Sequence, residues 1–275
     1  MIILNFMFYA LNLNLAFSES GKKYISLAPS TTEILFDLGF GDNVVGVSTS
    51  CNYPSQAKKI EKIGTFSEPN IEKIASLKPD MIFATGLEQS QAVLRLKNLG
   101  FKVYVSDPRD IDGLLRSILD IGNLTGTIER AKILTDNMRQ RIDTIGEKVS
   151  KIPLKNRLKV FLEIWHEPLM TAGPGSFIDD ILSKAGGVNI ASDVMRPYCR
   201  FSSEAVVKRN PDAIILAYMA EKDPGRALGS RIGWRDIKAI KEERVISSID
   251  PDLYLRPGPR VAEAVEQVYH YLYEK

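Results

Sequence analysis

Residues 127–150 read TIERAKILTDNMRQRIDTIGEKVS, and the interpretation of this stretch decides the fold. Ile128, Ala131, Leu134, Met138, Ile142, Ile145 and Val149 recur at steps of three or four, which puts them all on one stripe of a helix. Glu129, Lys132, Arg141, Asp143 and Glu147 occupy the other faces. At about 1.5 Å per residue the helix is roughly 36 Å long, the width of a small domain. Gly126 precedes it and Pro153 follows it. By itself it fits an ordinary amphipathic surface helix. Its flanks give it another role, because they repeat one local grammar.

On the N-terminal side NIEKIASLKPD (70–80) leads into MIFA (81–84); on the C-terminal side SSEAVVKRNPD (202–212) leads into AIIL (213–216). Each phrase has a Glu near a helix start (Glu72, Glu204), a Pro-Asp downstream (from Pro79, from Pro211), and then a buried strand. Each half continues with a basic residue, an apolar strand and an Asp-Pro: Lys102 to Pro108, and Arg244 to Pro251. Two matches in the same order indicate paired lobes, with the long helix as the strut between them. The expected divisions are a leader at 1–18, an N-terminal lobe at 22–126, the interlobe helix at 127–150 and a C-terminal lobe at 151–275.

Within each lobe strands alternate with helices, which predicts an α/β fold with parallel-rich sheets. The pattern predicts strands at 23–28, 44–47, 81–84 and 102–105 before the strut, and at 158–164, 213–217 and 245–249 after it. Ser30-Thr31-Thr32-Glu33 reads as a capping box opening a helix that Gly39 stops. Asn70 reads as another helix cap. Residues 165–175 and 193–200 read as loops, and 260–273 as a closing helix.

A chain of 275 residues with 44% apolar and 25% charged residues has the composition of a folded globular protein. A net charge of +2 and no basic run with interleaved aromatics give no nucleic-acid footprint. Two cysteines, Cys51 and Cys199, exclude a disulfide-rich scaffold and a cysteine-built zinc module. Two histidines, His166 and His270, exclude a three-histidine metal site. The opening MIILNFMFYALNLNLAF (1–17) has no charge and is interrupted by Asn5, Asn12 and Asn14, too short an apolar run to span a bilayer. It fits a secretory signal peptide with cleavage after Ser18; the alternative is an N-terminal strand. No Cys closes the leader, so a lipid anchor is not expected, and the location expected is periplasmic or otherwise extracytoplasmic.

In open parallel sheets ligands bind beyond the carboxyl ends of the strands, and two facing lobes pool those ends in one cleft. The candidate lining is Pro29 and Ser30, the 51–53 region with Tyr53, Phe66, Thr85 and Gly86, Trp165 and His166, Arg196 and Tyr198, and Asp252 to Arg256. Aromatics and arginines with few acids suit a bulky, flat or anionic ligand better than a small cation. A lone Phe or Tyr is also commonly core. No G-x-S-x-G elbow, P-loop or G-x-G-x-x-G is present. AGPGS (172–176) loosely resembles a phosphate loop and reads more simply as a Gly-Pro turn with Ser176 as a helix cap. A Cys–His nucleophile pair built on His166 lacks an orienting partner. His166 suits an axial ligand to a metal carried by the ligand, or a hydrogen-bonded rim histidine. The cysteines fall in opposite lobes and are expected to be separate thiols.

The segments YISLAPSTTEILFDLG (24–39), VVGVSTSCNYP (44–54), NIEKIASLKPDMIFA (70–84), KVFLEIWHEPLMTAG (159–173) and DLYLRPGPRV (252–261) resemble the periplasmic binding proteins for ABC import that take cobalamin, ferric siderophores and haem, most of all the cobalamin binders. The resemblance covers nearly everything after the leader. It implies two Rossmann-like lobes joined by one long helix, a ligand cleft between them, no enzymatic activity and no resident cofactor, with a corrinoid as the bound ligand. It implies that Glu72 and Glu204 dock onto an importer permease dimer, that Tyr53 contacts the corrin, and that Asp252 and Arg256 hold polar groups. Phe66, Thr85 and Tyr198 stand where the cobalamin binders carry Trp; Phe66 and Tyr198 can stack and Thr85 cannot. Haem or a ferric siderophore is the alternative ligand, and a hydrolase on the same frame is the reading from another class. The resemblance further implies a monomer that meets the membrane only through its transporter.

Overall fold

The computed structural model describes residues 21–86, 89–218 and 228–274, so the leader expected at 1–18 lies outside the described residues. The first half builds a four-stranded sheet from β1 (Tyr24–Ser26), β2 (Val44–Val47), β3 (Met81–Ala84) and β4 (Val103–Val105), in the order β2-β1-β3-β4. All its pairs are parallel. Parallel neighbours need crossovers, and α1 (Pro29–Asp37), α2 (Ile71–Leu77) and α3 (Ser90–Asn98) lie in the connections, with α4 (Ile111–Thr125) following β4.

The second half builds a sheet from β5 (Lys159–His166), β6 (Leu169–Ala172), β7 (Val188–Asn189), β8 (Tyr198–Arg200), β9 (Ala213–Leu216) and β10 (Val245–Ile246), in the order β10-β9-β5-β6-β8 with β7 also on β5. β10, β9, β5 and β7 pair in parallel; β6 and β8 add antiparallel. Two expected loops are therefore partly strand. β5 runs on through Trp165 and His166, turns at Glu167-Pro168 and returns as β6, while part of 193–200 adds β8 as an edge. WHEPLMTA offers no apolar–polar alternation, so the hairpin is invisible to a periodicity search.

The expected long helix is α5 (Ile128–Ser150), and its buried face is Ala131, Thr135, Met138, Ile142, Ile145 and Val149. Leu134, expected in that stripe, is half-buried, and Thr135 takes the inner position. Gly126, at φ +80°, ends α4 in the left-handed conformation that favours glycine. A Cβ on Gly122 would stand 2.4 Å from the Ala131 Cβ, so the close approach of α4 to α5 requires glycine there. One continuous apolar core then joins Tyr24, Phe83 and Leu114 of the first half through α5 to Val160, Ile178, Ile215 and Leu272 of the second. The strut is bedded in that core along its length.

The two repeated phrases are two copies of one device. Asn70 and Ser202 each accept the backbone N–H three residues on, capping α2 and α7 (Ser203–Arg209). Lys78 and Asn210 end those helices at φ 51° and 44°. The Asp80 N–H donates to the Lys23 carbonyl at 2.8 Å, and the Asp212 N–H to the Lys159 carbonyl at 2.7 Å. Their carboxylates accept the N–H of Lys23 at 2.7 Å and of Lys159 at 2.8 Å. Each Pro-Asp thus clamps the start of its sheet's lead strand.

The expected capping box at Ser30 does not form. α1 begins with Pro29 in its first turn, and its N-cap Ala28 offers no side-chain cap. The Thr31 and Thr32 hydroxyls instead donate to the Ala28 carbonyl at 3.1 and 3.0 Å, and both contact the Ser26 hydroxyl. Glu33 is left for a different task.

Because the core is continuous, the halves are expected to unfold together. Both tryptophans, Trp165 and Trp234, belong to the second half, whereas far-UV circular dichroism reports the whole chain. In urea the two signals should trace one transition, and Ile142→Ala should shift both midpoints down by the same amount, at a cost of about 2–4 kcal/mol. Separate transitions would show independent lobes.

Candidate functional site

The carboxyl ends of the parallel strands carry the candidate residues. In the first half one side chain ties three of these loops. Gln89 is fully buried; its Oε1 accepts the Thr85 N–H at 2.9 Å, and its Nε2 donates to the carbonyls of Leu27 at 2.9 Å and Phe66 at 2.8 Å. Pro29 and Ser30 are buried in the first turn of α1, Phe66 and Thr85 are half-buried, and Gly86 packs on the Asp107 carboxylate so closely that a Cβ would fall 2.2 Å from it.

The two halves meet across the site. Arg256 donates to Asn52 Oδ1 at 2.5 Å and pairs with Asp252 at 2.9 Å, and Asn52 Nδ2 lies 3.4 Å from the Asp252 carboxylate. Asp252 sits in a short helix (Asp252–Leu255), which puts Arg256 one turn on from it. Beside them Arg260 makes a bidentate pair with Glu33, Nε and Nη2 each 2.8 Å from a carboxylate oxygen. Glu33 is 3% exposed, and its carboxylate raises the Arg260 pKa above its ordinary value. The Arg260 guanidinium lies 4.0 Å from the centre of the Tyr53 ring, which remains 46% exposed. At the opposite side the Asp180 carboxylate accepts the Ile111 N–H at 2.8 Å, a second tie between the halves. Tyr198, in β8, has its pKa raised by burial, which outweighs a backbone hydrogen bond from Phe177, and Asp107 of the first half adds to the rise.

A further aromatic group lies at the end of β5. Trp165, His166 and Tyr218 have ring centres 5.0 to 6.1 Å apart, and Trp165 and His166 are exposed. Beneath them the fully buried Glu163 takes both Arg231 nitrogens at 2.7 Å and the Tyr218 hydroxyl at 2.6 Å. Burial raises the Tyr218 pKa, reinforced by Glu163. Arg231 in turn stacks on Trp234 at 4.5 Å.

Of the residues expected at the site, Asp252 and Arg256 pair and reach Asn52 next to Tyr53, Gly86 packs on Asp107, whose charge is felt at Tyr198, and Trp165 with His166 forms another group. Arg196 is exposed in the loop before β8. Glu72 and Glu204 are exposed in the first turns of α2 and α7, at equivalent places, and the Ser202 hydroxyl holds the Glu204 pKa below its ordinary value. Glu33, Arg260, Gln89, Glu163 and Tyr218 were not expected there, and Asn52 was expected only as part of the 51–53 region. Only RPGPR (256–260) carried a signal for one of them, two arginines on a stiff turn. Cys51 is buried with the Thr32 and Ser48 hydroxyls 3.2 Å from its sulfur, and both cysteines are free thiols. Among the described residues no group of three or more His, Cys, Asp or Glu is placed to hold a metal ion.

Two sheets joined by one long helix, with aromatic side chains and paired charges at their strand ends, have the architecture of a two-lobed solute-binding protein. The family model for periplasmic binding proteins matches residues 25–252, and the chain belongs to that family. It is similar to the "Uncharacterized ABC transporter substrate-binding lipoprotein YvrC" of Bacillus subtilis, at 36% identity over 96% of this chain and 84% of that protein. A crystal structure described as a possible iron-binding (periplasmic solute-binding) protein, from Staphylococcus epidermidis, superposes with TM-score 0.81 at 34% identity, covering 91% of this chain and 98% of that one. The periplasmic vitamin B12 binding protein of Vibrio cholerae superposes with TM-score 0.79 at 30% identity, covering 91% and 96%. The chain is therefore an ABC transporter substrate-binding protein. It is a binder rather than an enzyme, works on the extracytoplasmic side, and has a permease and a small-molecule ligand as partners.

Glu163 and Arg231 provide a test of how the second aromatic group is supported. Arg231→Met strands a buried carboxylate and should lower stability by about 3–5 kcal/mol in urea melts, whereas Glu163→Met with Arg231→Met should recover most of that loss. Equal losses in both variants would show that the pair's charge is not what holds this wall.

Proposed function

We propose that this protein captures a corrinoid in the cleft and delivers it to its importer. The observation that carries this reading is the contact group at Tyr53: a half-exposed ring backed by Arg260, beside an Asp252–Arg256 pair that already engages Asn52 of the facing half. A ring that covers a flat macrocycle and a polar pair that meets its side groups belong together at such a site. Tyr198 and Trp165, each about half exposed, offer further flat surfaces. The printed name of the Vibrio cholerae relative supports the same ligand class, and no covalent step is involved. Cyanocobalamin should bind the purified protein by calorimetry, and Tyr53→Ala or Tyr198→Ala should each weaken it by roughly tenfold to thirtyfold. No heat and no retained pink colour would end the cobalamin version.

The second reading is haem or a ferric siderophore, and the exposed His166 beside Trp165 and Tyr218 favours it. The Staphylococcus epidermidis structure, described as possibly iron-binding, lies in the same direction. A Soret band that forms on adding hemin and vanishes in His166→Ala would select haem.

For delivery, Glu72 and Glu204 are the docking carboxylates, one on each half of a monomer facing a two-fold permease. Exposed first-turn acids at equivalent positions suit charge-assisted pairs with permease arginines. Glu72→Ala combined with Glu204→Ala should leave ligand affinity unchanged and abolish uptake by cells. Loss of ligand binding in that double variant would place the carboxylates in the cleft instead.

A further inference from the structure

Tyr53 is on a loop, yet three contacts constrain its surroundings. Its neighbour Asn52 is held by Arg256 and approached by Asp252. Its ring lies under the guanidinium of Arg260. That guanidinium has its plane set by two equal 2.8 Å bonds to Glu33, itself 3% exposed on the rigid α1. A bidentate pair fixes a plane and not merely a charge, and the flat face left over is what stacks on a ring. The guanidinium lies over one face of the Tyr53 ring, and the residue remains 46% exposed.

We propose that Arg260 is a positioning residue for Tyr53: anchored by Glu33 in the opposite half of the protein, it pre-stacks the ring so that its free face is presented to the ligand. A tyrosine free on a loop would lose rotamer freedom when it closes on a ligand, which weakens binding; a ring already stacked has lost it in advance. The role requires the shape of arginine. Lysine keeps the charge next to Glu33 but cannot make the fork and offers no planar face. The macrocycle in the last arm of the test rests on the corrinoid reading; the stacking itself does not.

The test uses the full chain. In the ligand-free protein the Arg260 Nε–H resonance, assigned by its loss in Arg260→Lys, should be protected from exchange and shifted upfield by the ring, and Tyr53→Leu should remove the upfield shift while leaving the protection from Glu33. A resonance that Tyr53→Leu does not move would overturn the proposal without reference to any ligand. With cyanocobalamin as probe, Arg260→Lys should weaken binding about threefold to tenfold, with its circular dichroism spectrum unchanged. Arg260→Lys added to Tyr53→Leu should weaken it no further, because Arg260 acts through the ring. Additive losses would overturn the positioning role and put Arg260 on the ligand or in the general fold. If cyanocobalamin fails to bind the parent protein, the corrinoid reading falls and the resonance experiment still decides the stacking.

Discussion

A carboxylate taken out of water costs several kcal/mol unless a cation meets it with good geometry. Glu33 is in that position, on α1, and the cation that meets it comes from the last turn before the closing helix (Val261–Tyr273). Arg260 is the bidentate partner, and Arg256 stands 3.9 Å from the same carboxylate. One buried charge therefore draws the end of the sequence onto its beginning. It also brings RPGPR against Asn52 and Tyr53 and places Asp252 opposite the first half. Apolar packing through α5 holds the halves together without direction; the ion pair supplies the register between them at the strand ends. Removing only one partner would leave an uncompensated charge, so the geometry is strongly determined at this point.

The doubled architecture explains where symmetry stops. Asp80 and Asp212 clamp their lead strands in the same way, and Asn70 and Ser202 cap their helices in the same way. Glu72 and Glu204 inherit equivalent places from that shared frame. The halves diverge at the β5–β6 hairpin and the β8 edge, which only the second sheet has. These additions carry Trp165, His166 and Tyr198. Under the proposed function the frame common to both halves carries the docking carboxylates, and the added antiparallel strands supply further side chains for the ligand beside the Tyr53 group.

Much of this was legible in the sequence because it is local and periodic. The α5 stripe, the Asn70 and Ser176 caps, the alternation of strands and helices and the two Pro-Asp phrases all follow from residues a few positions apart. What was not legible depends on partners far along the chain. Ser30-Thr31-Thr32-Glu33 has the letters of a capping box, but Pro29 already starts the helix and Glu33 has a partner 227 residues away. Gln89 looks like any helix-start glutamine until its amide is seen binding three loops at once. Glu163 reads as one polar residue inside a strand, and its burial makes sense only with Arg231 and Tyr218 beside it. Tyr53, Asp252 and Arg256 were given roles in advance through the family resemblance, whereas Asn52, which Arg256 and Asp252 meet, entered only as part of the 51–53 region.

The occupied state of Arg256 bears on how such a cleft selects its ligand. Its guanidinium already bonds Asn52 and pairs with Asp252, so a ligand amide or carboxylate reaching it exchanges one hydrogen bond for another. Such an exchange is close to neutral, because the net worth of about 0.5–1.5 kcal/mol belongs to a hydrogen bond gained against water. A half-exposed tyrosine or tryptophan has on the order of 100 Å² left to cover, about 2–3 kcal/mol per ring when a flat molecule closes on it. Under the proposed function affinity therefore comes from the rings, and any macrocycle of suitable width draws on it. Under the proposed function discrimination falls to Asn52, Asp252 and Arg256, because a ligand that breaks their mutual bonds without replacing them leaves them unsatisfied in a drying cleft. Under the same reading Thr85 also bears on selectivity, because its small polar side chain offers no flat face. A ligand with bulk or polar substituents on that side loses less there than one whose only asset is a flat face.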